Sequence, residues 1–240
     1  REYLCGTQRR GQTMKNEEVA RQIRQFRKLL PECVKDIRAH GDGEFIGWES
    51  VKACKNEGIR YTFGNKRCAP PFPDDGWYRH KGNDYNECEY QPMGWEEPSR
   101  FVAMRIPKEE KGDRQLKLLE SEKYVYRVFS TNEIMRPHNV IAGYDPRADA
   151  ENLIGEAQRE GVLAIPSEKF QAHHAFFQIV MLAYNLWRWM KLLAGHAQRE
   201  EQEGKEVEER KQITMPDHTI RIARLKILFV AAKIRFHGNR

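Results

Sequence analysis

Cysteine is scarce in this 240-residue chain, and none of its five cysteines falls in a C-x-x-C spacing. Cys5, Cys33, Cys54, Cys68 and Cys88 therefore indicate neither a disulfide framework nor a zinc site, and a reducing cytoplasmic setting is expected. The chain also lacks an uninterrupted apolar run of membrane-spanning length. Its most hydrophobic segment, AFFQIVMLAYNLWRWM (175–190), is broken by Gln178, Asn185 and Arg188 and reads as a core helix. No signal peptide opens it, the first residue is Arg1 instead of methionine, and REYLCGTQRRGQT begins as though inside a domain, so a fragment of a longer protein is expected. Acidic residues are outnumbered: 41 Lys and Arg against 35 Asp and Glu give a net charge of +6, which favours a polyanionic partner without requiring one. The 40% hydrophobic content is enough for a real core in one large or two small domains.

Periodicity supplies the elements. NEEVARQIRQFRKLL (16–30) is an amphipathic helix with an Asn cap, acidic residues in its first turn, apolar positions at Val19, Ile23, Phe26 and Leu30, and Pro31 as terminator. CVKDIRA (33–39) alternates like a strand and runs into HGDGEF. WESVKACKNEG then reads as a helix closed by Gly58, and IRYTFG as a second strand. Helix, strand, helix, strand predicts a βαβ unit with a parallel pair. Pro70, Pro71 and Pro73 open a loop, followed by three strand-like runs, NECEYQ, RFVAMRI and YVYRVFST. Further on, SEKFQAHHAFFQIVMLAYNLWRWMKLL predicts a long apolar helix in which Trp187 and Trp189 are packing residues, and His173 and His174, being adjacent, make a poor metal pair. REEQEGKEVEERK reads as a solvated linker or surface helix, and TIRIARLKILFVAAKIRFHGNR as a basic helix passing into a strand.

Two places carry candidate chemistry. In YDPRADAENLIGEAQREG (144–161), Asp145 suits an N-cap, Pro146 the first helical position and Gly161 the stop. At about 100° per residue, Tyr144, Arg147, Glu151 and Gln158 fall within roughly 60° of one another, while Leu153 and Ile154 are expected to point into the core. Asp149, Asn152, Glu156 and Glu160 are the solvated far side. Arg147 and Glu151 also fit an ordinary i,i+4 ion pair. The second place is HGDGEF, where Asp42 follows a strand of the α/β sheet between Gly41 and Gly43. A carboxylate there suits metal chemistry, and Gly-Asp-Gly also suits a plain turn.

Together these segments resemble bacterial insertion-sequence transposases of the DDE type, which have an RNase H-like catalytic core. The likeness runs through CGTQRRGQT, IRAHGDGEFIGWESVKACKNEGIRYTFG, EYQPMGWEEPSRFVAMR, YRVFSTN, ENLIGEAQREGVLAIPSEKF and VMLAYNLWRW, in that order. It implies an α/β fold partitioned into a partial RNase H-like core (1–64), a β-rich insertion (65–132), the remaining core with signature helix and long apolar helix (133–196), and a charged linker with basic carboxyl-terminal segment (197–240). It implies that Asp42 and Glu151 are catalytic carboxylates sharing Mg²⁺ or Mn²⁺, and that Tyr144, Arg147 and Gln158 contact DNA. It also implies cleavage and strand transfer at transposon ends, a homo-oligomer on DNA, no membrane partner and a nucleoid-associated cytoplasmic location. The family's first acidic residue has no counterpart before Asp42, and Gly155 and Gln158 stand where basic residues are usual. A catalytically inactive fragment that binds DNA or a full-length partner is therefore the alternative, and another RNase H-like nuclease ranks last.

Overall fold

A computed structural model describes residues 3–7, 15–107, 124–159, 167–202, 216 and 218–228. The chain divides into two compact units, Gly11–Ala148 on one hand, and Arg1–Arg10 with Asp149–Arg240 on the other.

The first unit is built on a six-stranded sheet. Its elements are α1 (Asn16–Leu29), β1 (Arg38–Gly41), α2 (Trp48–Asn56), β2 (Arg60–Gly64), β3 (Tyr78–His80), β4 (Asn83–Tyr90), β5 (Ser99–Pro107), β6 (Tyr124–Thr131) and α3 (Pro137–Tyr144), followed by a 3₁₀ turn, Asp145–Arg147. Strand order is β1-β2-β6-β5-β4-β3. The βαβ expectation holds for β1 and β2, which pair in parallel from Arg38↔Arg60 to Gly41↔Phe63, whereas every other pairing is antiparallel. The strand expected over 33–39 forms only from Arg38 and extends through Gly41. Alternation alone did not locate it, because a strand exists where a partner lies beside it, and α2 returns the chain alongside 38–41.

The three strand runs after the proline-rich loop form β4, β5 and β6, and β6 pairs directly with β2, so they continue the sheet begun by β1. At the centre of β5, Phe101, Val102, Ala103 and Met104 are all buried, because helices cover both faces. Phe101 packs with Ile37, Ile46, Val51, Cys54, Ile59, Tyr61 and Phe63, with Ile23, Phe26 and Leu30 packed against them. On the other face Val102 and Met104 join Tyr85, Phe129, Val140, Ile141 and Tyr144. Polar groups between strands are satisfied: the Tyr61 and Ser99 hydroxyls are 2.7 Å apart, and Thr131 Oγ1 donates to the Tyr61 carbonyl at 2.7 Å. Glu133, 3% exposed, lies 3.2 Å from Arg60 and 3.4 Å from Arg38.

The second unit contains α4 (Ala148–Ala157) from Asp149 onward, α5 (Phe170–Gln202) and α6 (Ile220–Leu228). The polar residues that interrupt the apolar face of α5 each reach a backbone partner. Gln178 donates to the Gly6 carbonyl at 2.9 Å, and Arg188 to that of Pro216 at 2.8 Å. Asn185 both receives the Tyr3 N–H and donates to the Tyr3 carbonyl. Trp187 packs beside Ala157, Met181, Tyr184 and Ile220. The expectation of a core helix is met only on that side, since Ile179, Leu182, Leu186, Trp189 and Leu193 are exposed on the other. None of the described helices is long and apolar enough to cross a membrane. The helix expected from residue 219 appears as α6. Its continuation into a strand, most of the 199–211 linker and the stop at Gly161 lie outside the described residues.

Phe101 tests this account of the core, since its ring is fully buried. Phe101→Ala is expected to cost about 3–5 kcal/mol, lowering the denaturant midpoint at unchanged slope. A loss under about 1 kcal/mol would show that β5 is not central.

Candidate active site around Asp42

The site begins where β1 ends. Asp42 Oδ1 accepts the Glu44 N–H at 3.0 Å, and its carbonyl accepts that of Phe45 at 3.0 Å, so a tight turn succeeds the strand. Three glycines make the turn possible. A Cβ on Gly41 would stand 2.6 Å from Phe45 Cβ and 3.0 Å from the Phe63 ring. One on Gly43 would stand 2.7 Å from Lys66 Cγ, and one on Gly64, at the end of β2, 3.3 Å from the Gly43 nitrogen and 3.6 Å from the Tyr144 hydroxyl. Side chains at these positions would push apart the carboxyl ends of β1 and β2, where ligands of open α/β sheets characteristically bind.

Tyr144 secures the same turn. It is buried in the core beneath Phe129, and its hydroxyl donates to the Gly41 carbonyl at 3.0 Å. Burial raises the phenol above its ordinary pKa; Arg147 opposes that rise and the Asp42 carboxylate adds to it. The Arg147 guanidinium lies 5.4 Å from the Tyr144 ring centre. Asp42, Tyr144 and Arg147 are thus gathered in one unit.

The segment around Tyr144 differs from the single helix expected over 144–161. The helix begins earlier, at α3, with Pro137 in its first turn, and Tyr144 is its last residue. Asp145 is no N-cap: its backbone is right-handed helical, its N–H bonds to the Ile141 carbonyl, and its carboxylate pairs with Arg127. Pro146 therefore sits inside a helical path, where a missing N–H and a ring too near the i−4 carbonyl disfavour an α-turn, and the chain passes through 3₁₀ geometry. Each 3₁₀ residue turns about 120° instead of about 100°, so three of them shift the phase of helix α4.

The buried face of α4 is the one that meets α5 and α6. Ile154, expected in the core, is 49% exposed, whereas Leu153 packs against the cluster around Ala157. Glu156, expected on the solvated side, accepts the Tyr184 hydroxyl at 3.1 Å and the Ile220 N–H at the start of α6. Tyr184 is raised well above its ordinary pKa by burial and by Glu156. Glu151 is exposed in the first turn of α4, and Gln158 is exposed in the π-turn after it. Both belong to the other unit from Asp42.

Sequence reasoning did not single out Gly64. A glycine closing IRYTFG was the available signal, but only the parallel register reveals that it abuts Gly43 and Asp42. Asp42 and Glu151 each present a carboxylate, and hard oxygen donors suit Mg²⁺ or Mn²⁺. Among the described residues, no three His, Cys, Asp or Glu side chains are grouped to hold a metal ion.

A family model described as transposase DDE domain, group 1, matches residues 1–240. No curated protein matches the chain.

Removing the Tyr144 hydroxyl tests the clamp. Tyr144→Phe is expected to lower stability by about 1–2 kcal/mol in a denaturant titration, because it takes a buried partner from Gly41. Tyr126→Phe, at an exposed ring, is expected to change it by less than about 0.5 kcal/mol. Equal effects would show that the Tyr144 bond holds nothing in place.

Proposed function

The chain belongs to the transposase DDE domain group 1 family, and from that premise we propose that it catalyses metal-dependent phosphodiester cleavage and strand transfer of an insertion sequence on an RNase H-like core. The observation that carries this reading is the family match over the whole chain. Asp42 supports it, as a carboxylate at the carboxyl end of a strand in a parallel pair, where ligands of open α/β sheets characteristically bind.

In this mechanism Asp42 and Glu151 are the carboxylates that hold Mg²⁺ or Mn²⁺. When bound, the divalent cations stabilise charge on the attacking and leaving oxygens of the displacement. Tyr144 acts through Gly41, fixing the turn so that the Asp42 carboxylate does not have to be ordered when substrate arrives. Arg147 and Gln158 contact DNA, Arg147 by charge-assisted hydrogen bonds to phosphate. The positive net charge of the chain draws DNA in before those contacts form. The partners are transposon ends and target DNA, held by a homo-oligomer.

The test is strand cleavage and joining on labelled DNA carrying the element's ends, with Mg²⁺ and with chelator. Asp42→Asn and Glu151→Gln are each expected to lower the rate by more than about 100-fold, beyond the range for outer-shell residues, at unchanged thermal stability. Arg147→Ala should weaken DNA binding. Full activity in both carboxylate variants would remove the mechanism.

A further inference from the structure

The parallel pairing of β1 and β2 sets the segments at their carboxyl ends side by side. After β1 comes Asp42; after β2 come Asn65, Lys66 and Arg67. This second turn is fixed independently of any ligand. The Asn65 N–H donates to the Val128 carbonyl at 2.8 Å, its Oδ1 accepts the N–H groups of Arg67 at 3.1 Å and Cys68 at 3.2 Å, and its Nδ2 donates to the Cys68 carbonyl at 2.8 Å.

The two cations of the turn are used differently. Arg67 is committed to Glu44 at 3.1 Å. Lys66 is exposed, and among the described residues it has neither a hydrogen bond nor an ion pair. Its stem is nonetheless placed, because Cβ, Cγ and Cδ lie over Gly43, filling the space where a side chain on that residue would go. Lysine normally keeps considerable rotamer freedom at a surface, and seating three stem carbons removes part of it before an anion arrives. The result is a positioned ammonium beside the residue next to Asp42, at the carboxyl ends of two parallel strands.

We propose that Lys66 is a phosphate-binding residue of the Asp42 site, gripping the DNA backbone beside the position where Asp42 acts. The proposal rests on the transposase reading, since DNA supplies the phosphate. Gly43 is part of the device: it lets the chain turn and also leaves the channel in which the Lys66 stem lies. An ammonium is a compact point charge that suits a single phosphate oxygen and needs no forked geometry, so arginine should serve in its place.

Fluorescence anisotropy with a labelled DNA duplex, between about 50 and 200 mM salt, tests this. Four proteins are compared: the unaltered chain, Lys66→Met, which keeps an unbranched stem over Gly43, Lys66→Arg, and Lys35→Met, which removes the same charge at another exposed position. Lys66→Met is expected to bind more weakly, with the slope of log affinity against log salt shallower by about 0.9, one phosphate contact. Lys66→Arg should restore both, and Lys35→Met should match the unaltered chain. A wild-type slope in Lys66→Met, or an equal loss in Lys35→Met, overturns the assignment while leaving the transposase reading intact. Absence of salt-sensitive binding in the unaltered chain overturns that reading and Lys66 with it.

Discussion

The hydrogen bond from the Tyr144 phenol to the Gly41 carbonyl joins positions 103 residues apart in sequence and is the constraint on which the candidate site depends. It ties the end of α3 to the end of β1, one residue before Asp42. Gly41, Gly43 and Gly64 keep side chains out of the place where β1 and β2 end, close beside this bond. Loss of the phenol would leave a buried carbonyl without its donor and release the turn that orients the carboxylate, so stability and site geometry fail together.

The second unit relies on a different device. Polar side chains of α5 fasten extended chain at Tyr3 and Gly6, and Glu156 joins α4 to both α5 and the start of α6. The residues that make the 175–190 segment unsuitable for a membrane are therefore its connectors. Gln178, Asn185 and Arg188 each find a backbone partner, which offsets part of the cost of removing them from water.

Much of this was legible in the sequence because it is local. Helix α1 follows from its 3.6-residue period, α2 and β2 from their flanking glycines, and β4, β5 and β6 from three strand-like runs, whereas the three-residue β3 was not anticipated. The start of β1 was misplaced because strand limits depend on a partner. The sheet's continuity from β2 to β6 is a non-local pairing that no window of sequence contains. The 144–161 segment differed more instructively: Pro146 follows Asp145 as it would at a helix start, but Pro137 had already started a helix, and the burial of Glu156 in place of Ile154 follows from the packing of α4 on α5 and α6, which lie far away in sequence. The place of Asp42 just after a strand was legible from Gly-Asp-Gly, whereas the nearness of Gly64 to Gly43 became visible only in the parallel register.

We propose that Asp42 and Glu151 are both metal-holding carboxylates. Mn²⁺ titrated into isotopically labelled protein, followed by paramagnetic broadening of amide signals, tests it most directly. Early broadening is expected at Gly41, Gly43 and Gly64 and at Ala150 and Asn152, with both sets lost in Asp42→Asn and in Glu151→Gln. Broadening that reaches only one of the two sets, or that survives both substitutions, would contradict it.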